Sequence, residues 1–267
     1  MTSELLAMGA HVDQRDPLAE AVARQAQLSQ FFLGDPQGWK GPVIAYEGGA
    51  AHLKADAEAA GIALYVHAPY VINVASTNNR IRIPSRKLLQ QTVTAAASIG
   101  AAGVIVHGGH VGAGEDPQVG FENWRKAIDG LHLDCPIFIE NTAGGANAMA
   151  RQLERIDQLW TAIAPASDSE LVGFCLDTCH AHAGGQELAG LVDRILAITG
   201  RIDLVHANDS RDAFDSGADR HANLGSGQCD PNGLVDVVRE AAVPVVLETP
   251  GGLTGHLADL LWLRESL

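Results

Sequence analysis

The feature that most constrains the fold of this chain is a repeated alternation of short apolar runs with segments of helical pattern. Eight apolar runs of strand length occur, and helical segments separate them. This alternation is typical of βα units arranged around a parallel sheet. Because no linker or low-complexity segment interrupts it, we predict an α/β protein in which residues 1–267 form a single (β/α)8 TIM barrel, with residues 1–8 as a loose N-terminal extension.

The positions of the apolar residues indicate the bounds of the predicted strands and helices. In a closed barrel the carboxyl ends of the strands meet at one face, where we expect the active site. Helices are predicted to begin at Pro17 and after Pro117, and to cover residues around 51–61, 85–99, 149–164 and 257–267. The strands are predicted over residues 8–12, 30–33, 64–66, 103–106, 136–139, 174–176, 202–205 and 244–247.

Seven of the eight predicted strands end in a residue that can bind a metal ion. Unpaired acids crowded at one face would repel one another, whereas divalent ions stabilise both carboxylates and neutral imidazoles. Imidazoles mixed with carboxylates favour Zn, Mn or Fe over Mg or Ca. The seven residues are His11, His67, His107, Glu140, Asp177, His206 and Glu248.

These ligands are too many for one ion, and further ligands follow the sixth and seventh strands. His180 comes three residues after Asp177, and the loop after the seventh strand contains Asp219 and His221. Together these residues could form a second cluster of His, Asp and His. For Asp219 and His221 taken alone, a solvated turn is an equally good interpretation.

Besides an ordinary turn, in which Asp177 caps the following residues and His180 is exposed, the stretch Phe174 to His182 admits two kinds of metal site. Cys175 and Cys179 could supply thiolate ligands for zinc, or Asp177 and His180 could belong to an open catalytic site. The chain has four cysteines and no CxxC pair, so we expect neither a thiolate-held structural zinc nor a disulfide framework. We expect both cysteines to be reduced and to pack in the interior.

The charge balance argues at first against a nucleic-acid partner. The chain carries 32 acidic and 18 basic residues, a formal net charge of -14, whereas nucleic-acid binding depends on neutralising phosphates. The first residues lack the basic start and apolar run of a signal peptide, and no apolar run approaches the roughly 20 residues that cross a membrane. We therefore expect a soluble, cytoplasmic protein with no membrane partner.

Eight short motifs lie in order at the predicted strand ends. They are GAHV (9–12), HAPYVIN (67–73), VHGGH (106–110), ENTAG (140–144), CLDTCHA (175–181), HANDS (206–210), DRHANLGSG (219–227) and LET (247–249). In this order they make the chain similar to the endonuclease IV family of apurinic/apyrimidinic endonucleases over essentially its whole length. The resemblance implies a DNA-repair enzyme that hydrolyses the phosphodiester on the 5′ side of an abasic site in duplex DNA, leaves a 3′-hydroxyl, and also trims 3′ ends. We expect a monomer, since nothing in the surface pattern demands a dimer.

The resemblance also implies three metal ions, usually zinc, with Mn or Fe as substitutes. Glu140 is expected to bridge two ions and position the attacking water, Glu248 to help orient it, and Asp177 to complete the catalytic residues. Three divalent ions would add about six positive charges where the phosphate sits, which answers the objection from the net charge. The matching ligand sets are His67, His107 and Glu140; Glu140, Asp177, His206 and Glu248; and His180, Asp219 and His221.

DNA contacts are expected around the mouth of the barrel. Tyr70 and Val71 match the pair of side chains that the family inserts into the gap left by a missing base. Gln37 stands where better-known members carry an arginine, so insertion is expected from Gln37 or Trp39, and Gly108 stands where a proline is common. Further expected DNA-side residues are Asn73, His110 and His11, with phosphate contacts from Asn78, Asn79, Arg80, Arg82 and the loop 34–40; His182 is expected either to support the site or to be exposed.

Two other functions remain open at this point. Sugar isomerases and epimerases with a xylose-isomerase-like barrel also place His, Glu and Asp around one or two ions, but they do not need the third ligand set. A module that binds abasic DNA without cutting it is disfavoured because the full ligand set is retained. Metal content and an incision assay distinguish the three functions.

Overall fold

The barrel predicted from the alternation is present. The computed structural model of the protein describes residues 6–145 and 147–267. Eight parallel strands close into a barrel, which confirms the (β/α)8 architecture, and a short antiparallel pair, β8 and β9, lies outside it. The strands are β1 (Met8–His11), β2 (Leu28–Phe32), β3 (Ala63–His67), β4 (Gly103–His107), β5 (Ile137–Glu140), β6 (Val172–Asp177), β7 (Leu204–His206), β8 (Asp209–Ser210), β9 (His221–Ala222) and β10 (Val245–Leu247).

The helices start where the sequence supplies capping residues. Asp16, Asp116 and Asp230 each precede a proline, and each aspartate side chain accepts a hydrogen bond from an amide of the first turn. The helices are α1 (Pro17–Ala23), α2 (Gly49–Ala60), α3 (Asn79–Ser98), α4 (Pro117–Ile128), α5 (Leu153–Ile163), α6 (Thr178–Ala183), α7 (Leu191–Thr199), α8 (Pro231–Ala241) and α9 (Gly252–Ser266).

Several element boundaries differ from the predicted ones. Helix α3 begins at Asn79, six residues before the predicted start, because the Asn78 side chain accepts a hydrogen bond from the Arg80 amide at 2.9 Å. Pro84 inside this helix costs one helical hydrogen bond, since proline has no amide proton. Met8, assigned to the loose extension, is the first residue of β1 and is 3% exposed. Residues 1–5 of that extension lie outside the described residues.

Two successive layers of inward-facing residues lie toward the mouth of the barrel, because side chains two positions apart point to the same side of a strand. The lower layer is apolar and consists of Leu28, Tyr65, Ile105, Phe138, Cys175, Leu204 and Val246. In β1 its place is taken by Gly9, where a Cβ atom would lie 2.0 Å from the carbonyl oxygen of Leu28. Two residues further along each strand lies the polar layer: His11, Gln30, His67, His107, Glu140, Asp177, His206 and Glu248.

A larger apolar cluster fills the space between the barrel and the helices. It includes Phe31, Val66 and Trp124, all essentially fully buried. Burying side chains of this size stabilises the fold by about 1.5–3 kcal/mol each, so the barrel is a rigid support for the polar layer. In the part of the chain that the structure describes, no helix has both the length and the apolar character needed to cross a bilayer.

Candidate metal centre

Glu140 lies at the middle of the polar layer, and its side chain is fully buried. Its Oε2 atom lies 3.2 Å from Nε2 of His67 and 3.2 Å from Nε2 of His107. Its Oε1 atom lies 3.0 Å from Nδ1 of His206 and 3.2 Å from Nδ1 of His180. One carboxylate therefore connects two halves of the centre.

Apart from two groups that include Cys175 or Cys179, the candidate ligand atoms gather into three groups, and within each group they lie within 4.8 Å of one another. These groups coincide with the three sets that the resemblance implies, and their role as metal ligands stays a prediction. We call them the first group (His67, His107 and Glu140), the second group (Glu140, Asp177, His206 and Glu248) and the third group (His180, Asp219 and His221).

Three imidazoles are held by a hydrogen bond from one ring nitrogen, which leaves the other nitrogen for a ligand. His67 can donate from Nδ1 to the carbonyl of the next residue at 2.8 Å, and His180 from Nδ1 to the carbonyl of Asn141 at 2.9 Å. His206 can donate from Nε2 to Oε1 of Gln30 at 2.8 Å. In each ring the free nitrogen then points into its group, as metal-binding histidines require.

The third group contains buried polar atoms that no hydrogen bond satisfies. Nε2 of His180 and Nε2 of His221 have no hydrogen-bond partner among the described residues. Each lies 3.1 Å from the same oxygen, Oδ1 of Asp219, but outside hydrogen-bonding geometry. Buried polar atoms rarely stay unpaired, and two imidazole nitrogens with one carboxylate oxygen are a donor set suited to zinc. The residues present therefore fit a divalent metal ion.

The carboxylates also change the protonation of the imidazoles. Burial lowers the pKa of His180 and of His206. Asp177 beside His180, and Cys175 together with Glu248 and Glu140 beside His206, outweigh burial and hold both pKa values well above the usual range. Burial likewise lowers the pKa of His221, but its contact with Asp219 raises it to about 9. The negative charge of the cluster thus attracts cations, and protons and metal ions compete for the same nitrogens.

Comparison with known proteins identifies the family. A family model described as a xylose isomerase-like TIM barrel matches residues 20–266. A probable endonuclease 4 from Mycobacterium marinum is 56% identical over 260 residues, which cover 97% of this chain and 98% of that protein, and one from Mycobacterium tuberculosis is 55% identical over 258 residues, with the same shares covered. The chain belongs to the endonuclease IV family.

A solved structure agrees with this assignment. Endonuclease IV from Thermus thermophilus superposes with a TM-score of 0.83 at 27% identity, covering 97% of this chain and 98% of that one. A D-tagatose 3-epimerase-like protein has a TM-score of 0.78 but only 17% identity, over 98% of this chain and 97% of that one, and it shares the fold alone. As a member of the endonuclease IV family, the protein is an enzyme of the nuclease class.

Gln30 contacts two members of the second group, and sequence reasoning missed it. It is fully buried in β2, the one strand without a predicted ligand. Its Nε2 atom donates to Oε1 of Glu248 at 2.6 Å, while its Oε1 atom accepts from His206. Gln30 therefore orients two members of the second group at once. The signal that could have found it is the two-residue spacing from Leu28, which the predicted start of β2 at Gln30 concealed.

Asn208, inside the HANDS motif, was also missed. It is fully buried, and its Nδ2 atom donates to Oδ2 of Asp177 at 2.7 Å. Its Oδ1 atom accepts from the backbone amide of Glu248 at 2.8 Å. One amide side chain thus fixes the positions of two carboxylate-bearing residues.

The cysteines of the opening motif are free and buried, as expected. Burial raises the pKa of both Cys175 and Cys179 to about 12, so both remain neutral thiols. The sulfur of Cys175 lies within 4.8 Å of ligand atoms of Glu140 and His206. Because the thiolate is the form that binds metal, Cys175 contributes packing in the apolar layer.

Two histidines left outside the ligand sets support the centre. Of the two alternatives expected for His182, exposure is wrong, because its relative exposure is 7%. Its Nε2 atom can donate to the carbonyl of Asp212 at 3.1 Å, and its ring contacts Phe214. His11 lies with Nδ1 3.4 Å from Oε1 of Glu248, and burial lowers the pKa of His11. His11 therefore contacts the second group as a neutral ring.

The predicted DNA-side aromatic residues lie at the mouth. Tyr70 is 52% exposed, and its ring packs against His67 at a centroid distance of 5.5 Å and against His107 at 5.7 Å. Tyr70, Val71 and Trp39 line a cavity of about 610 Å³ that reaches His107.

The other predicted DNA-side residues differ in exposure. Gln37 is exposed. Asn73 is largely buried, and both ends of its amide bond the backbone of His110, at 2.9 Å to the carbonyl and 3.1 Å from the amide. Asn73 therefore holds the His110 loop, and a direct DNA contact from Asn73 or His110 stays a prediction.

Proposed function

We propose that this endonuclease IV hydrolyses the phosphodiester on the 5′ side of abasic sites in duplex DNA, leaving a 3′-hydroxyl, and that it trims blocked 3′ ends by the same chemistry. The observation that carries the proposal is the convergence of nine side chains from distant segments into three adjoining ligand groups. The names of the curated relatives, probable endonuclease 4, support a nuclease over other barrel enzymes.

We assign one divalent ion to each group, zinc in the first instance with Mn or Fe as substitutes. The donor set of imidazoles and carboxylates fits these metals. Bound ions of this kind lower the pKa of a water molecule, polarise a phosphate and stabilise a departing oxyanion.

The chain's own residues would position the reactants. Glu140, each of whose oxygens faces two imidazoles, would position the attacking water. Glu248 helps to orient that water, because Gln30 fixes one of its oxygens at 2.6 Å. Asp177 is held on both oxygens, since Oδ1 accepts from the His180 amide and Oδ2 from Asn208, both at 2.7 Å. Such pre-organised carboxylates need little rearrangement when substrate binds.

The mouth of the barrel supports an abasic substrate. A nucleotide without a base has lost its stacking, so its extrusion from the helix costs little free energy. Tyr70 and Trp39 are large, about half exposed, and line the same cavity. Tyr70 also packs edge-on against Phe32 at 5.1 Å, which fixes its ring at the rim. We assign the wedge that fills the vacated stack to Tyr70 and Val71, with Gln37 or Trp39 on the opposite side.

Metal content and incision together test the proposal. Wild-type protein should hold three ions per chain and cut a duplex with one abasic analogue on its 5′ side. Glu140→Gln should lose metal, and its single-turnover incision rate should fall by about 10³-fold, because the shared carboxylate contributes several kcal/mol through the ions it holds. Glu122→Gln is the matched control, since Glu122 is an exposed glutamate on α4.

Each alternative predicts a different result. Undiminished incision by Glu140→Gln would contradict the mechanism. Two ions per chain with ketose formation and no DNA cleavage would indicate a sugar isomerase, and tight binding of abasic DNA without cleavage would indicate a binding module. We also propose that the protein is a single-domain monomer that acts in the cytoplasm, which sedimentation and cell fractionation would check.

A further inference from the structure

Acidic residues are unevenly distributed along this acidic chain. No Asp or Glu occurs between Glu58 and Glu115, although the chain as a whole has a formal net charge of -14. The basic residues of this acid-free segment all lie on α3. They are Arg80, Arg82, Arg86 and Lys87. Helix α3 is therefore a positive element in a negative protein.

The beginning of α3 lies on the same side of the barrel as the metal centre. Helix α3 follows β3, whose last residue is His67 of the first group. In a βα barrel the loop that follows each strand lies at the face where the strands end, and that loop leads into the helix. Since α3 begins at Asn79 and not at residue 85, its first turn and Arg80 are part of this face.

Two of the four cations are held by the protein, and two are not. Arg82 donates from Nη1 to the carbonyls of Ser76 at 2.8 Å and Thr77 at 2.9 Å. Arg86 donates to the carbonyl of Asn123 at 2.7 Å.

Arg80 and Lys87 differ from these two. Both are exposed, and neither side chain makes a hydrogen bond or ion pair in the described part of the chain. They are seven residues apart and so lie on one face of the helix, about 10 Å apart along its axis. This is about the axial length of three base pairs of DNA.

Trp39 connects this face to the mouth. With Tyr70 and His107 it lines the cavity of about 610 Å³ at the metal centre. With Ile83 and Lys87 it lines a second cavity of about 400 Å³ on α3. The surface therefore continues from the first group, past an exposed aromatic ring, to the unpaired cation of Lys87.

We propose that one flank of the bound duplex lies along this face of α3, with backbone phosphates paired to Arg80 and Lys87 and with Trp39 at the junction to the mouth. The inference rests on the proposed function, because it assigns the place of the DNA outside the cleaved step. Charge complementarity favours a phosphate backbone, and continuity with the mouth favours the substrate duplex over a separate acidic partner.

The test measures the salt dependence of DNA binding. The metal-loaded Arg80→Gln/Lys87→Gln protein is compared with wild type on a duplex that carries one abasic analogue and a nuclease-resistant linkage. The slope of log K against log salt is negative, and each lost phosphate contact makes it less steep by about 0.9. The slope of the double variant should therefore be less negative by about 2, and its affinity at 0.1 M salt should be about tenfold to a hundredfold weaker. Trimming one flank should weaken wild-type binding and leave the variant nearly unchanged.

The matched control is Arg125→Gln/Lys126→Gln on α4, where both cations are already paired with acids, Asp129 and Glu122. It should keep the wild-type slope. An unchanged slope in the α3 variant, or an equal loss in the control, overturns the inference. The slope comparison tests only the path of the DNA. If the proposed function itself were wrong, the wild-type protein would not cut at abasic sites.

Discussion

The second and third ligand groups differ in what holds their ligands in place. Glu140, Asp177 and His206 of the second group are fully buried at the ends of barrel strands. In the third group, Asp219 has a side chain that is 53% exposed and lies in the segment 211–220, outside the barrel. The comparison shows that the second group is positioned by the sheet, whereas the third group depends for Asp219 on a surface segment that must itself be held.

Segment 211–220 is held by the end of α6. The amide of Asp215 donates to the carbonyl of His182 at 3.1 Å, and the amide of Gly217 donates to the carbonyl of Ala183 at 2.8 Å. Arg151 donates to Oδ1 of Asp215 at 2.8 Å. The short helix that carries His180 therefore also anchors the segment that brings its partner Asp219.

The largest loss of activity is expected from a substitution in the second group, whose ligands lie at the strand ends. Asp177→Asn removes a carboxylate of the second group and weakens the cap on the His180 amide, so both the second and third groups should lose affinity. We expect incision to fall by about 10³-fold or more, measured in single turnover alongside metal per chain. Asp134→Asn, at an exposed aspartate, is the control. If the variant retains all ions, Asp177 does not connect the second group to the third.

A smaller change is expected when only the third group is altered. His180→Ala should remove one ion and most activity, while the ions of the first two groups stay bound, because Asp177 remains in place. Metal per chain measures this directly. His132→Ala, at a histidine with a side chain 83% exposed, should keep every ion. Loss of all three ions from His180→Ala would mean that the groups cannot be separated.

Gln30→Ala tests the support under the second group. Without the amide, His206 and Glu248 lose their shared hydrogen-bond partner. Partners of this kind typically contribute 10- to 100-fold in metal affinity, so we expect a loss of about that size in chelator competition, confined to one ion. Gln118→Ala at an exposed position of α4 serves for comparison. If the variant binds metal as tightly as the wild type, Gln30 does not support the ligands.

The smallest effect is expected from Asp215→Asn, which breaks the Arg151 ion pair but keeps the backbone hydrogen bonds of the segment. An exposed pair is worth about 0.2–1 kcal/mol, so the third ion should dissociate up to about fivefold faster while the others are unaffected. Stopped-flow release to a chelator measures this, and Asp129→Asn, which breaks an exposed pair on α4, should change nothing. Faster release of the second ion instead would contradict the anchoring.

The sequence predicted the ligands at strand ends, but it did not predict the contacts between distant segments that support them. His67, His107 and Glu140 were found because each ends a strand, and strands are marked by apolar runs that the sequence displays directly. Gln30 was missed because an amide is not among the usual ligands of zinc and because the predicted strand began two residues late. The anchoring of His182 was missed because it depends on contacts with Asp212 and Phe214, about thirty residues away, which no local pattern encodes.

The register of the barrel strands also determines the distances between neighbouring ligands. His107 is the direct register partner of Glu140, and Asp177 is the direct partner of His206. Neighbouring strands are separated by about 4.8 Å through their peptide hydrogen bonds. The peptide hydrogen bonds of the sheet therefore set the spacing between these ligands within each of the first two groups. The outward-facing residues of these strands can vary without altering that spacing, provided that the register is kept.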